Sequence, residues 1–275
     1  MAPERKKVIV VKLGGSTLGG QTSTGTPDTT LEDILKLAAE DYTVVLVHGG
    51  GNAISGLLKQ LGQEPRFLNG LRVTDRPALE ATLMMLRGRI NGELVSIINQ
   101  AGQSRGILAV GLCGLDGRLL EARRDTAHGD IGLVGEITGV NPAVLDMVLE
   151  KGFLPVVSPI GTAVDDPSVG MYNINADNAA AHLAAALQAD ACVFLTDVPG
   201  VLDREKQTIP RLNRAAVGRL VDEGVIYGGM IPKISSALKA LEGASRVLII
   251  DGRPANSLYQ AVTESELKVG TVFTA

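Results

Sequence analysis

Three polar side chains alternate within a short segment of the chain: Asn173, Asn175 and Asp177. Side chains two residues apart share one face of an extended segment, so this spacing predicts a polar strand end. The Ala-rich run 179–189 follows, and Asn and Asp are favoured helix N-caps. We therefore expect a strand that leads into a helix N-terminus, where an anion is stabilised. A capped surface helix without a ligand is the alternative interpretation.

Two lysines stand beside paired glycines at distant points of the chain. Lys12 ends a β-branched run and precedes the glycines at 14–15, and the glycines at 228–229 precede a helical pattern that contains Lys233. Glycine lets backbone N–H groups approach a ligand closely. Neither segment has the spacing of the Gly-x-x-x-x-Gly-Lys phosphate loop. Both lysines are candidates for phosphate binding, and plain turns with solvated lysines are the alternative.

A third glycine loop, His48-Gly49-Gly50-Gly51, separates the predicted strand 43–47 from a helical pattern. Backbone N–H groups in such a loop and the positive end of the following helix can hold an oxyanion. We expect His48 to be a structural hydrogen-bonding residue and not a base.

Two further loops carry polar side chains suited to ligands. Asn69-Gly70 predicts a two-residue hairpin, and Arg72 just beyond it can bind a carboxylate with two hydrogen bonds. The segment 196–202 follows a predicted strand and could hold the sugar and base of a nucleotide. A solvated arginine and a plain turn are the respective alternatives.

The elements that position these loops alternate between strands and helices along the whole chain. This order predicts an α/β fold, a three-layer αβα sandwich with a central, mostly parallel sheet. We divide it into two lobes, residues 1–168 and 169–275, with a hinge in the polar turn 165–170.

Three local predictions can be checked directly against a structure. Thr30 and Asp33 have the spacing of a capping box at a helix start. Asp116-Gly117 predicts a hairpin. A long apolar helix from Pro77 to about Ala101 is a candidate dimer surface, because its composition indicates burial on more than one side.

Composition argues against several classes of partner. The 275 residues carry a net charge of −4 without a basic tract, and aromatic residues make up only 3%, which disfavours nucleic-acid binding. No apolar run is long enough for a bilayer span or a signal peptide. The two cysteines, Cys113 and Cys192, lack metal-site spacing, and we expect reduced thiols in a cytoplasmic protein.

The glycine loops and both lysines follow strands or begin helices, so we expect them at one edge of the sheet. Phosphoryl transfer needs positioning and charge stabilisation more than a protein nucleophile. Lys12 and Lys233, from opposite lobes, could flank a transferred phosphoryl group, and Asp177 could hold both ammonium groups in place and charged. No catalytic base is required if the acceptor is already a carboxylate.

The chain also resembles the acetylglutamate kinases of the amino-acid kinase family. The shared motifs span nearly its full length in the family's order, and they are Lys12-Leu13-Gly14-Gly15-Ser16, Val47-His48-Gly49-Gly50-Gly51, Gly70-Leu71-Arg72-Val73-Thr74-Asp75, Ser158-Pro159-Ile160-Gly161, Asn173-Ile174-Asn175-Ala176-Asp177, Thr196-Asp197-Val198 with Gly200, and Gly228-Gly229-Met230 with Lys233. The similar kinases that act on carrier-bound aminoadipate read Gly-Ile-Arg-Ser-Arg-Tyr-Thr-Asp at the third motif.

The resemblance implies transfer of a phosphoryl group from MgATP to the side-chain carboxylate of N-acetyl-L-glutamate, the second step of arginine synthesis. Lys12 and Lys233 would stabilise the transition state, with Asp177 organising them. Backbone N–H groups near Gly15, Gly49 and Gly50 would hold the phosphoryl group. Arg72 would bind the substrate's α-carboxylate and Asn173 its acetamido group.

The resemblance also implies a nucleotide site and an assembly. The ATP-binding residues would be Lys12, Gly14, Thr196, Asp197, Val198, Gly200, Val201, Val225, Ile226, Tyr227 and Lys233. Mg²⁺ would be held mainly by the ATP phosphates, without a protein metal site. The N-terminal lobe would bind the amino-acid substrate, the C-terminal lobe would bind ATP, and the helix from Pro77 would form a homodimer.

The sequence departs from the family in three places. Asn52-Ala53 follows the third glycine where many relatives have Pro-Gln, and Thr263 to Gly270 lacks the usual glycine-rich ending. Only about six residues precede the first strand. We therefore expect the chain to lack the N-terminal helix that joins arginine-inhibited relatives into hexamers, and to form a dimer that is insensitive to arginine.

Two alternative functions are open: a sister kinase acting on acetylated or carrier-bound aminoadipate, and a nucleotide-sensing regulator that is not an enzyme.

Overall fold

The computed structural model describes residues 6–14, 29–68, 70–264 and 269–274. The strands are β1 (Lys7–Leu13), β2 (Tyr42–His48), β3 (Phe67–Leu68), β4 (Leu71–Arg72), β5 (Ala109–Cys113), β6 (Leu120–Arg124), β7 (Gly135–Val140), β8 (Leu154–Ser158), β9 (Ile160–Ala163), β10 (Met171–Asn173), β11 (Ala191–Thr196), β12 (Arg211–Asn213), β13 (Val247–Asp251) and β14 (Thr271–Thr274). The α-helices are α1 (Thr29–Ala39), α2 (Gly51–Gln60), α3 (Arg76–Leu83), α4 (Asn91–Gly102), α5 (Ala143–Glu150), α6 (Ala176–Ala186), α7 (Arg214–Asp222), α8 (Met230–Ala240) and α9 (Ser257–Thr263).

Among the described residues, the largest sheet has eight strands in the order β12-β14-β13-β11-β1-β2-β8-β5. Every neighbouring pair in it is parallel except β13 and β14. Val8 and Val10 of β1 join the core beneath α5, α6 and α8, while Ile9 and Val11 join the core beneath α1, α4 and α9. Alternate residues of the central strand are thus buried on both faces, and the predicted three-layer α/β fold is confirmed.

The described chain also contains a separate four-stranded sheet with the order β10-β9-β6-β7. The predicted Asp116-Gly117 hairpin is wrong, because the strands on either side of it, β5 and β6, lie in different sheets. β5 pairs with β8 in the large sheet, whereas β6 pairs with β7 and β9. The carboxylate of Asp116 accepts a hydrogen bond from the Cys113 backbone N–H at 2.7 Å and pairs with Arg87 at 3.0 Å. These contacts turn the chain out of one sheet into another.

The predicted capping box at Thr30 is also wrong. Helix α1 begins at Thr29, and the Thr30 hydroxyl donates to the Gly252 carbonyl at 2.9 Å. Asp33 accepts hydrogen bonds from the backbone N–H groups of Leu258 and Tyr259, at 3.1 and 3.2 Å. Asp33 therefore caps α9, a helix that lies far away in the sequence, and fastens it to α1.

The long helix predicted from Pro77 runs from Arg76 to Gly102, and a central segment of it, Met84–Ile90, is π-helical. Asp75 caps the run by accepting from the Ala78 N–H at 2.9 Å. A π-helical segment is uncommon and often lies beside a functional site. Here Leu86 and Ile90 point at the glycine loop that follows β2.

Two further predictions concern the hairpin at Asn69-Gly70 and the proposed lobe boundary. β3 and β4 are antiparallel, as the Asn69-Gly70 turn predicts, although Asn69 itself lies outside the described residues. The polar turn 165–170 joins β9 to β10, which are antiparallel neighbours in one sheet. The division at residue 168 stays a prediction.

No helix in the described ranges combines the length and apolar character needed to cross a membrane.

Replacing Asp33 with Ala should destabilise the protein, because two N–H groups at the start of α9 lose their acceptor. We expect the free energy of unfolding in urea to fall by about 1–3 kcal/mol. Asp33→Asn keeps one acceptor oxygen and should lose less. Equal losses in the two variants would contradict the capping role.

Candidate active site at the carboxyl edge of the sheet

The carboxylate of Asp177 lies between two ammonium groups. Its Oδ1 is 2.8 Å from Nζ of Lys12, and its Oδ2 is 2.9 Å from Nζ of Lys233. The side chains of Asp177, Lys12 and Lys233 are 13%, 11% and 18% exposed. The cluster is therefore largely shielded from water, but part of each side chain remains accessible to a ligand. The structure thus brings together the three charged groups that the sequence predicts to meet.

Each member of the cluster comes from a different element. Lys12 lies near the carboxyl end of β1, between parallel strands β2 and β11. Asp177 and Lys233 lie in the first turns of α6 and α8. The Asn175 side chain caps α6 by accepting from the N–H groups of Asp177 and Asn178, at 2.9 and 3.1 Å. The alternating segment therefore does form a strand end and a capped helix.

The electrostatics of the cluster favour an ionised acid between two cations. Burial by itself would raise the pKa of Asp177, but the charges and hydrogen bonds of Lys12 and Lys233 hold that pKa below its usual value. Burial lowers the pKa of Lys12, opposed by the charge of Asp177 and reinforced by that of Lys233. Two positive groups against one negative group leave a net positive charge, which suits a polyanion.

The glycine loop after β2 lies beside this cluster, because Leu13 of β1 is in register with His48 of β2. The Gly49 N–H donates to the Leu13 carbonyl at 3.2 Å, so the structure uses this group to close the loop against β1. The expected role of the Gly49 region in holding a phosphoryl group stays a prediction. A Cβ on Gly50 would lie 2.5 Å from Ile90 and 2.6 Å from Leu86, so the π-helical segment supports the loop from behind.

Asn91, which was not predicted from the sequence to be a site residue, fixes this loop together with His48. The Asn91 amide nitrogen lies 3.2 Å from Nε2 of His48 and donates to the Val156 carbonyl at 2.8 Å. Nδ1 of His48 lies 3.0 Å from the Gly49 carbonyl oxygen, which fits a neutral ring that donates through Nδ1. The predicted structural role of His48 agrees with these contacts. Asn91 and Asn99 both lie in the apolar helix predicted from Pro77, so the sequence carries no signal that singles out Asn91.

Arg72 and Asn173 are joined through one threonine. The Thr74 hydroxyl donates to the Arg72 carbonyl at 3.1 Å, and the Asn173 amide donates to the Thr74 hydroxyl at 3.1 Å. Nη2 of Arg72 donates to the Gly51 carbonyl and to the Ser55 hydroxyl, both at 2.8 Å. Nη1 is buried and has no hydrogen-bond partner among the described residues. The two predicted substrate-binding residues therefore belong to one connected group.

The loop after β11 is partly structural. The Thr196 hydroxyl lies 2.8 Å from the Val198 carbonyl oxygen and 3.2 Å from that of Ile250. The Val201 N–H donates to the Thr271 hydroxyl at 2.9 Å, and a Cβ on Gly200 would lie 2.8 Å from the same oxygen. Thr196, Gly200 and Val201 thus shape the loop through internal contacts.

The other predicted nucleotide residues differ in exposure. Asp197 is exposed and Val198 half-buried at the carboxyl end of β11, next to β1. Ile226 is buried, Val225 half-buried and Tyr227 75% exposed just before α8. Gly14 follows β1 directly, and Gly15 lies outside the described residues.

Within the described ranges, no group of three or more His, Cys, Asp or Glu side chains gathers where it could hold a metal ion. Both oxygens of Asp177 face lysines, so this carboxylate is a poor metal ligand.

A three-layer, mostly parallel α/β fold with cations and glycine loops at the carboxyl edge of its sheet is typical of enzymes that bind phosphate groups. The model of the amino acid kinase family matches residues 7–251, and the chain belongs to this family. It is a kinase. An acetylglutamate kinase from Acaryochloris marina is 43% identical over 274 residues, covering 98% of this chain and 92% of that protein. One from Caldanaerobacter subterraneus subsp. tengcongensis is 42% identical over 270 residues, 97% and 87% of the two chains. The resemblance stated from the motifs is confirmed.

Solved structures share the fold. N-acetylglutamate synthase from Neisseria gonorrhoeae matches with a TM-score of 0.80 and 26% identity over 98% of this chain, which spans 60% of that longer protein. Carbamate kinase from Giardia lamblia matches with a TM-score of 0.69 over 98% of both chains, and at 16% identity this likeness concerns the fold alone.

His48 should make stability depend on pH. Burial lowers its pKa from 6.5 to about 4, so between these values the unfolded chain binds a proton that the folded protein does not. The contribution of neutral His48 to the free energy of unfolding is therefore fully present above pH 6.5. It is lost as pH falls through 4, by up to about 3 kcal/mol. Urea unfolding at several pH values measures this loss.

The variant His48→Asn serves as the control, because it cannot titrate in this range. Its stability should fall less steeply between pH 6.5 and 4. The remaining slope includes His182, whose pKa burial also lowers to about 4. Identical slopes in the two proteins would contradict this account.

Proposed function

We propose that the protein transfers the γ-phosphoryl group of ATP to the side-chain carboxylate of N-acetyl-L-glutamate, a step of arginine synthesis. The observation that carries the proposal is the shared carboxylate of Asp177, which holds Lys12 and Lys233 within 2.9 Å of its two oxygens. The names of the relatives at 41–43% identity support acetylglutamate over aminoadipate as the substrate.

The two lysines act by charge. In phosphoryl transfer, negative charge moves onto the equatorial and bridging oxygens as the transition state forms. Lys12 from β1 and Lys233 from α8 meet that charge from two sides, and Asp177 prevents the ammonium groups from separating. Because the acceptor is an ionised carboxylate, no residue needs to remove a proton. The site then works by positioning and electrostatic stabilisation.

The connected group of Arg72, Thr74 and Asn173 provides the amino-acid half of the site. The Arg72 guanidinium presents a buried Nη1 whose partner a carboxylate can supply. Asn173 is half-buried and donates to Thr74, and we assign it the acetamido group of the substrate. The N-terminus of α2 and Gly50 supply backbone dipoles between this group and the lysines.

The nucleotide half is assigned to the loops 196–201 and 225–227 with Lys12, Gly14 and Lys233. Bound ATP brings Mg²⁺, which neutralises phosphate charge. The exposed Asp197 and Tyr227 are accessible to a ribose or base, whereas Thr196, Gly200 and Val201 support the loop.

We also infer a homodimer and a cytoplasmic location. The run Arg76–Gly102 exposes Met84 to 61%, and a large exposed apolar side chain on a long helix is suited to a subunit contact. Cys113 and Cys192 are buried and unbridged, which supports a reducing compartment.

A substrate comparison tests the proposed activity. In a hydroxamate assay with MgATP, N-acetyl-L-glutamate should give a kcat/KM at least about tenfold above that of N-acetyl-L-aminoadipate, since one methylene is worth about 1–3 kcal/mol. The reverse preference would assign the enzyme to the aminoadipate branch. No hydroxamate from either acid would refute the proposal.

The lysines can be tested one at a time. Lys12→Ala and Lys233→Ala should each lower kcat by about 10²–10³-fold and change KM far less, because the charge they meet develops in the transition state. Lys239→Ala is the matched control on α8. Nζ of Lys239 lies 2.6 Å from the carboxylate of Glu242, and Lys239 does not pair with Asp177. Unchanged kcat in either test variant would remove that lysine from the mechanism.

A further inference from the structure

Phe67 is a large apolar side chain that stays 55% exposed on a two-stranded hairpin. It lies directly opposite Arg72 in the antiparallel pair, so the two side chains share a face. The centroid of its ring is 4.8 Å from Cζ of Arg72. An exposed Phe adds little to a core, whereas this ring lies against a cation.

Arg72 has unusual surroundings for a buried charge. The residue is 8% exposed, and among the described residues no carboxylate lies within ion-pair distance of it. Burial lowers its pKa, and its Nη1 has no partner in the described part of the chain. A buried charge without a counter-ion is costly, so the arrangement is suited to an anion that arrives with a ligand.

A ring on the guanidinium stabilises that arrangement without using its donors. Cation–π stacking occupies the face of the guanidinium plane, whereas carboxylate recognition uses the N–H groups at its edge. A carboxylate neighbour would orient Arg72 too, but it would also neutralise the charge. Nη2 of Arg72 is held by Gly51 and Ser55, and the Phe67 ring lies over Cζ at 4.8 Å, so this neighbour leaves the full positive charge for the ligand.

We propose that Phe67 is a positioning residue for the α-carboxylate of the acceptor substrate: it holds the Arg72 guanidinium so that Nη1 faces that carboxylate. The inference rests on the proposed function, since it names the group that Arg72 binds. It assigns a recognition role to the hairpin strand β3, and it predicts dependence on an aromatic ring at position 67.

The test is a substitution series at this position with steady-state kinetics. Phe67→Leu keeps apolar bulk without the ring, and its KM for N-acetyl-L-glutamate should rise about three- to tenfold, the range expected for a cation–π contact. Phe67→Tyr should stay within about twofold of the unsubstituted protein. The KM for ATP, kcat and Tm should be unchanged in both variants. Leu68→Ala is the control, because alternation along β3 points Leu68 to the opposite face.

A truncated acceptor separates the inference from a general effect on the site. The compound 4-acetamidobutanoate keeps the reacting carboxylate and lacks the α-carboxylate. With this acceptor, Phe67→Leu and the unsubstituted protein should have equal KM values. A KM unchanged by Phe67→Leu, an equal rise in Phe67→Tyr, or a rise that persists with 4-acetamidobutanoate would overturn the inference. Failure of the unsubstituted protein to phosphorylate N-acetyl-L-glutamate would instead overturn the proposed function.

Discussion

The carboxylate of Asp177, shared by Lys12 and Lys233, is the interaction on which the candidate active site depends. Two ammonium groups repel each other in a water-poor space, and burial disfavours both charges. One acid with an oxygen for each lysine offsets this cost, and the N-terminus of α6 adds a dipole that favours its ionised form. Loss of this acid would leave two buried cations without a partner, whereas the intact cluster keeps a net positive charge for a phosphate chain.

The scaffold fixes that interaction because its supports are rigid. Lys12 lies on a strand buried on both faces, and α6 and α8 pack together through small alanine side chains. The glycine loop is held from behind by Leu86, Ile90 and the amide of Asn91. The π-helical segment thus connects the candidate subunit surface to the loop beside the lysines. Preorganised charges of this kind are what the proposed phosphoryl transfer requires.

The fold alone does not define the reaction. Related structures with this architecture include a synthase and a carbamate kinase, so function must be argued from side chains. On the acceptor side, the decisive features are a buried guanidinium with an unused donor and the aromatic ring stacked on it. An acid with a second carboxylate and an amide matches that half of the site better than a small monoanion does.

The sequence by itself determined the class of fold, the strand-to-helix loops and the identity of the charged cluster. The continuous β-branched run of β1, the Asn175 cap and the glycines beside Lys12 and Lys233 are local patterns, and local backbone preferences make them readable. Only the tertiary structure decided where individual polar groups find their partners. Asp33 caps α9 instead of its own helix, Asp116 turns the chain into a second sheet, and the Gly49 N–H is used by Leu13. Buried donors and acceptors must be satisfied by whatever packing brings near, and those neighbours come from distant parts of the chain.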